Sequence, residues 1–244
     1  MITNSERLLC IASLVPLNSY VYDIGSDHGY LPILLVTNKI ANKVIAVENK
    51  KGPYERLSSN VKDYSQIEPF FGDGLDGFKE YITTITAAGI GGKTIVEIFK
   101  KFFDKEKKRD LTIIVEPQSD VELVRRFFNE NGYKISFEKY VKEQGKYYPI
   151  ISYKLGSEMM TDINYIYGTY SLKNKDKLLY EYLTNNLKKY EEINSPSLNS
   201  KINLIKGALK SWKKWNLWYQ EPCWIYRISS SILGTSKNVD RKST

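Results

Sequence analysis

The feature that most restricts the fold of this chain is a pair of apolar segments, residues 133–141 and 147–154, joined without a helix. Five earlier apolar segments precede this pair, at residues 21–24, 43–47, 67–71, 83–87 and 111–115. All but the third are followed by a turn and then by a helical pattern. Repeated strand and helix units of this length predict a parallel, doubly wound sheet. The connection over residues 142–146 is too short for a crossover helix, so we predict that the sheet ends in an antiparallel hairpin.

The loop after the first strand indicates which kind of ligand the sheet binds. The segment VYDIGSDHGYLP, residues 21–32, turns through Gly25, Asp27 and Gly29 into a second apolar run. A dinucleotide site requires G-x-G-x-x-G here, because backbone N–H groups bind the diphosphate. Asp27 occupies the second glycine position, and a carboxylate repels a diphosphate but attracts a cation. This favours S-adenosylmethionine, although Asp27 as a simple helix cap is an alternative.

The ends of the following strands carry residues that suit the other parts of this ligand. In an open parallel sheet, ligands bind at the carboxyl ends of the strands. We expect Glu48 to accept hydrogen bonds from both ribose hydroxyls, and Asp73 to accept one from the adenine amino group. Small residues after the fourth strand leave room for a second planar base. The predicted cofactor contacts are Asp23, Gly25, Ser26, His28, Glu48, Asp73, Gly74, Ala88 and Gly89.

The predicted topology indicates the fold class. A parallel sheet with a C-terminal antiparallel hairpin is characteristic of class I methyltransferases with a Rossmann-like sheet, rather than of dehydrogenases. A chain of 244 residues can form one such domain and a smaller extension. We predict an S-adenosylmethionine-dependent methyltransferase domain over residues 1–156, a C-terminal coiled-coil helical hairpin over residues 157–218 and an irregular tail over residues 219–244.

The extension differs from the first domain in both period and charge. Its apolar residues recur every three or four positions, which predicts two antiparallel helices separated by a break at residues 194–197. Residues 157–244 contain 14 Lys and Arg against 8 Asp and Glu, a net charge of +6 out of the +8 of the whole chain. This excess suits an arm that binds a polyanion, and it also suits an ordinary solvated lysine face.

Composition excludes several other kinds of site. Cys10 and Cys223 are far apart and His28 is the only histidine, so neither a metal site nor a disulfide framework is indicated. The sequence shows no signal peptide and no long apolar span. We therefore expect a soluble cytoplasmic protein that does not bind membranes, with no requirement for an oligomer.

Five segments carry a resemblance to a known family. DIGSDHGYLP, IAVENKKGPYE, GDGLDGF, AAGIGG and IIVEPQ, in this order, resemble the TrmK family of bacterial tRNA (adenine-N1)-methyltransferases, which modify adenine 22. The resemblance covers roughly residues 4–215 and implies a Rossmann-like catalytic domain, a C-terminal coiled coil, S-adenosylmethionine as cofactor and tRNA as partner. It supports Asp27 as the catalytic residue, and Arg7, Gly91 and Gly92 as contacts to the base or the RNA.

The residues after the fourth strand also bear on which adenine atom is methylated. Enzymes that methylate the exocyclic amine typically carry an Asn/Asp-Pro-Pro-aromatic motif there, whereas residues 88–91 read Ala-Gly-Ile-Gly. Ring N1 has a lone pair and needs only positioning, with a carboxylate to stabilise the cationic base or take its N6 proton. Asp27 is the candidate, unless it only orients the cofactor. A methyltransferase of another substrate and a non-catalytic tRNA-binding protein with this fold remain alternatives.

Overall fold

The computed structural model describes residues 5–105, 109–210 and 212, which form a seven-stranded sheet covered by helices. The strands are β1 (Ser19–Ile24), β2 (Ala41–Glu48), β3 (Ile67–Phe71), β4 (Thr84–Ile90), β5 (Thr112–Pro117), β6 (Tyr133–Glu143) and β7 (Lys146–Leu155). The helices are α1 (Glu6–Leu14), α2 (Tyr30–Thr37), α3 (Lys51–Val61), α4 (Gly92–Lys105), α5 (Val121–Glu130), α6 (Asp162–Tyr167), α7 (Thr169–Lys173), α8 (Lys177–Ile193) and α9 (Asn199–Lys210).

The strand order is β3-β2-β1-β4-β5-β7-β6. Neighbours among β1 to β5 pair in parallel, while β7 pairs antiparallel with both β5 and β6. The predicted parallel sheet with a terminal antiparallel hairpin is therefore confirmed. The carboxyl ends of β1, β2, β4 and β5 lie along one edge, because these strands run in the same direction.

The sheet has an apolar core on each face. Successive side chains of a strand point to opposite faces, so Val21 packs in one core and its neighbour Tyr22 in the other. The first core is closed by α1, α2 and α3, and the second by α4 and α5, whose Phe99 and Phe128 rings meet at 4.9 Å between centroids. Burial on both faces accounts for the nearly continuous apolar runs in β1 and β5.

The C-terminal extension contains the predicted helical hairpin, formed by α8 and α9. The helices run antiparallel, since Tyr180 near the start of α8 contacts Trp212, while Glu191 near its end pairs with Lys206 at 2.8 Å. Asn194 ends α8 in the left-handed conformation. Coiled-coil packing stays a prediction, and the predicted tail over residues 219–244 lies outside the described residues.

Two short helices, α6 and α7, were absent from the sequence-based prediction. They join the sheet to the hairpin through Arg125 on α5, whose side chain is fully buried. Arg125 donates hydrogen bonds to the Glu138 carboxylate and to the carbonyls of Tyr165 and Ile166, each at 2.8 Å. The Glu138 carboxylate also packs directly against Gly168, where a side chain would collide with it. We call Arg125 and Glu138 the anchor pair.

Candidate active site

Asp23, at the end of β1, is a buried acid held between two hydroxyl groups. Its Oδ1 accepts a hydrogen bond from Thr86 Oγ1 and its Oδ2 accepts one from Ser26 Oγ, both at 2.6 Å. Burial raises the pKa of Asp23 to about 6, although both hydrogen bonds act to lower it. Asp23 and Ser26 therefore fasten the first loop to β1 and β4. Their predicted contacts with a cofactor stay a prediction, and the structure gives them a role in shaping the loop.

The backbone of the first loop is not arranged to bind a diphosphate. The N–H groups of Gly25 and Ser26 both donate to the Val47 carbonyl, at 3.0 and 2.9 Å. Helix α2 begins at Tyr30, and its N-cap residue is Gly29 in the left-handed conformation, with no side-chain capping bond. The alternative in which Asp27 only caps the helix is therefore wrong.

The Asp27 side chain lies at the open mouth of this loop. It is 57% exposed, and its carboxylate oxygens lie 3.6 Å from Arg56 Nη2 and 3.6 Å from His28 Nε2. The His28 ring stacks on Tyr30 at 5.4 Å between centroids. Asp27 is thus an accessible carboxylate, as a residue that binds a ligand must be.

Glu48 and Asp73 lie together at the ends of β2 and β3, as the sequence predicted. Glu48 is only 8% exposed, and its Oε1 accepts hydrogen bonds from the N–H groups of Asn49 and Lys50, both at 3.1 Å. A carboxylate offers about four acceptor positions, so Glu48 has the capacity to accept ribose hydroxyls as well. Asn49 Nδ2 donates to Asp73 Oδ1 at 3.0 Å, which links the two acids, and Gly74 packs against Ile98.

The end of β4, residues 88–91, combines open space with close packing. The pairing of β4 with β5 is irregular between Ala88 and Ile90, and Gly89 has a φ of 74°. Among the residues that the structure describes, no heavy atom outside the neighbouring residues lies within 4 Å of the position that a Gly89 Cβ would take. A Cβ added at Gly25 would lie 3.4 Å from Ile90 Cγ2. The β4 end and the first loop are therefore neighbours, with free space above Gly89.

Gly91 and Gly92 differ in their surroundings. Gly91 is half-buried, so a ligand can reach it. A Cβ added at Gly91 would lie 3.5 Å from Ser119 Oγ, which is an ordinary van der Waals contact. Gly92 is buried, and a side chain there would collide with the Ser119 carbonyl, to which its N–H donates at 3.2 Å. The predicted substrate contact at Gly92 stays a prediction, and the structure shows that close packing at the start of α4 requires a glycine at this position.

A cluster of charged side chains at the same edge was not predicted as a unit. Arg7 donates from Nη1 to Glu116 Oε2 at 2.8 Å and from Nε to Glu143 Oε2 at 2.7 Å. Its guanidinium also lies over the Tyr148 ring, 4.5 Å from the centroid. We call Arg7, Glu116 and Glu143 the edge cluster. The predicted contact of Arg7 with RNA stays a prediction, and the structure shows what holds this side chain in place.

Glu116 connects the edge cluster to the β4 end. Its side chain is fully buried, and its Oε2 accepts the Gly89 N–H at 3.0 Å as well as the bond from Arg7. Its Oε1 accepts a hydrogen bond from Gln118 Nε2 at 2.5 Å. Burial raises the pKa of Glu116 to about 7, against the opposing effects of Arg7 and of the hydrogen bonds. Glu116 was not predicted as a site residue, although it is an acid at the end of a parallel strand, the same pattern that indicated Glu48 on β2.

Comparison with known proteins indicates which reaction the domain with this site belongs to. A family model described as a methyltransferase domain matches residues 4–151, well over half of the chain. The chain belongs to this methyltransferase family. The tRNA (adenine(22)-N(1))-methyltransferase of Bacillus subtilis is 32% identical over 156 residues. That alignment covers 62% of this chain and 65% of the relative, just under two thirds of its length.

Solved structures agree with this methyltransferase assignment. A Streptococcus pneumoniae protein in complex with S-adenosyl-L-methionine superposes with a TM-score of 0.79 at 28% identity, covering 85% of this chain and 100% of that chain. The TrmK of M. capricolum in complex with S-adenosyl-homocysteine gives a TM-score of 0.72 at 27% identity, covering 88% of this chain and 97% of that chain. The predicted TrmK family and class I methyltransferase fold are confirmed.

The residues at this edge fit S-adenosylmethionine. The buried Glu48 carboxylate has acceptor capacity beyond its two backbone partners. The N–H groups of Gly25 and Ser26 are already bonded and so not available to a diphosphate, and Asp27 offers an accessible negative charge. Among the described residues, no group of three or more His, Cys, Asp or Glu side chains is placed to hold a metal ion. Within the same residues, no helix has the length and apolar character needed to span a membrane.

Proposed function

We propose that this chain transfers a methyl group from S-adenosylmethionine to N1 of adenine 22 in tRNA. The observation that carries the proposal is the contact between the first loop and the β4 end, which brings Asp27 and the open space above Gly89 to one edge of the sheet. The Bacillus subtilis relative is a methyltransferase named for this atom of this nucleotide, which supports the same acceptor. Because tRNA is cytoplasmic, we place the activity in the cytoplasm.

Each residue at this edge has a role under the proposal. Ring N1 has a lone pair and no proton, so it can attack directly the methyl group that S-adenosylmethionine would supply, and the bond from that methyl group to the sulfonium breaks. Glu48 binds the ribose, Asp73 the adenine of the cofactor, and the first loop with His28 binds the methionine part. The target base lies over Gly89, where no side chain of the described part of the chain fills the space. Asp27 stabilises the cationic base or takes its N6 proton.

The direct test is incubation of the protein with unmodified tRNA and S-adenosylmethionine labelled in its methyl group, followed by nucleoside analysis. We expect the label in 1-methyladenine, and no incorporation into the same tRNA with guanine at position 22. Label in N6-methyladenine, or in the protein itself, would contradict the proposal.

The two alternatives give different results in simple measurements. A non-catalytic tRNA-binding protein would bind tRNA and transfer no methyl group, whereas an enzyme with another substrate would bind the cofactor and ignore tRNA. The dependence of activity on salt concentration tests the latter case further, because the extension is basic. If it binds RNA phosphates, raising the salt concentration should reduce tRNA methylation steeply, because counterions compete for the phosphates. Activity that is insensitive to salt would favour another substrate.

A further inference from the structure

Three separate segments of the chain meet at the Glu116 carboxylate. From the β4 end comes the Gly89 N–H, from α1 comes the Arg7 guanidinium, and from the connection after β5 comes the Gln118 amide. Arg7 is held on its other side by Glu143, at the tip of the β6–β7 hairpin. A single buried oxygen, Glu116 Oε2, therefore fixes the position of Gly89 relative to Arg7.

We propose that Glu116 is a positioning residue for methyl transfer, which holds the Gly89 backbone and the Arg7 guanidinium together on the side of the site where the target base binds. This inference rests on the proposed function. A hydrogen bond from Gly89 to a charged acceptor keeps the β4 end in its irregular conformation and keeps the space above it open. Glu116 acts through Gly89 and Arg7 and need not touch the base.

The proposal makes the site sensitive to pH. The charged or titratable groups that face Glu116 are Arg7 on α1 and, beyond it, Glu143 and Tyr148 on the hairpin, while Gln118 is neutral. Interaction with Arg7 lowers the pKa of Glu143, and burial raises that of Glu116 to about 7. Glu116 is therefore the member of the edge cluster that gains a proton near neutrality. Protonation removes its ion pair with Arg7 and weakens its hold on Gly89.

The test compares tRNA methylation by wild type and by the Glu116→Gln variant between about pH 6 and about pH 8.5. Glutamine keeps an oxygen for the Gly89 N–H but carries no charge, as in the protonated acid. We expect kcat of the variant to be about tenfold lower at high pH, the size of effect typical of a lost charged hydrogen bond, and within about twofold at low pH. Other groups, including Asp23, titrate alike in both proteins. The ratio of the wild-type rate to the variant rate at each pH is therefore independent of them.

Two further measurements keep the interpretation clear. The dissociation constant of S-adenosylmethionine, from calorimetry, should change less than twofold between wild type and Glu116→Gln, because Glu116 binds Arg7, Gly89 and Gln118 and not the residues that bind the cofactor under the proposed function, Glu48, Asp73 and His28. The Glu143→Gln variant removes the other carboxylate that binds Arg7, and its methylation rate should keep the wild-type dependence on pH. Equal rates of wild type and Glu116→Gln at every pH, or an equal loss at every pH, would overturn the inference. Absence of methylation by wild type would instead contradict the proposed function.

Discussion

The anchor pair and the edge cluster both depend on an arginine–glutamate ion pair, but they lie in different surroundings. Both contain an arginine bound to a glutamate at 2.8 Å, but Arg125 and Glu138 are completely buried, whereas the Arg7 side chain is 25% exposed. The anchor pair also binds two backbone carbonyls of α6, so all of its contacts are internal. Burial therefore decides whether such a pair holds the fold together or remains accessible to a ligand.

The largest expected effect comes from breaking the anchor pair. Replacing Arg125 with Met leaves the Glu138 carboxylate and the carbonyls of Tyr165 and Ile166 buried without their donor. We expect a loss of about 3–5 kcal/mol in the free energy of unfolding, as measured in denaturant. The matched control is Arg126→Met at the next position of α5, where Arg126 binds Glu122 and Asp162 at the surface. It should change stability little, and equal losses would show that the anchor pair is not special.

Asp23 differs from both glutamates, because it is a buried acid whose partners are hydroxyls and not an arginine. The unfolded chain loses the Asp23 proton near 3.8, the ordinary pKa of an aspartate, and the folded chain loses it near a pKa of about 6. Between these values the folded state binds more protons, so its stability falls as pH rises, by roughly 3 kcal/mol in total. The Asp23→Asn variant should lack this contribution. Denaturant unfolding at several pH values measures the difference in slope, and identical slopes would contradict the burial argument.

Asp27 provides the contrast of an exposed acid at the same edge. We expect the Asp27→Asn variant to bind S-adenosylmethionine only a few-fold more weakly, because solvent screens the attraction of this exposed carboxylate for the sulfonium. Methyl transfer should be about 100-fold slower, because the amide stabilises a cationic base poorly and accepts no proton. Calorimetry and the tRNA assay measure the two quantities. If binding and transfer fall together, Asp27 only orients the cofactor, which is the alternative role for this residue.

Glu48 gives the smallest expected effect of this series. The Glu48→Gln variant keeps one acceptor but loses the charge that we propose binds the ribose, so we expect cofactor affinity to fall about tenfold. The control is Glu55→Gln, an exposed glutamate on α3 that should leave affinity unchanged. A normal affinity in Glu48→Gln would mean that another residue holds the ribose.

The sequence predicted the outline of the site because that outline depends on local patterns, namely the residues at strand ends and the lengths of the connections. An acid at or just after the end of a parallel strand must lie at the carboxyl edge of the sheet, which is why the sequence could place Glu48 and Asp73 at that edge. The connection over residues 142–146 likewise predicted the hairpin from its length alone. The substitution of Asp27 for a glycine predicted a cationic ligand, and the structures of relatives with S-adenosylmethionine or its product agree.

Tertiary packing decided the parts that join distant segments. Arg7 and Glu143 are 136 residues apart, and no spacing in the sequence links them. Helices α6 and α7 have six and five residues, too few to be stable alone, and they form where Arg125 binds the carbonyls of α6. Strand and helix periods, together with the residues at strand ends, were thus determined by the sequence itself. Which buried charges pair, and therefore which acid titrates near neutrality, depends on groups that only the folded chain brings together.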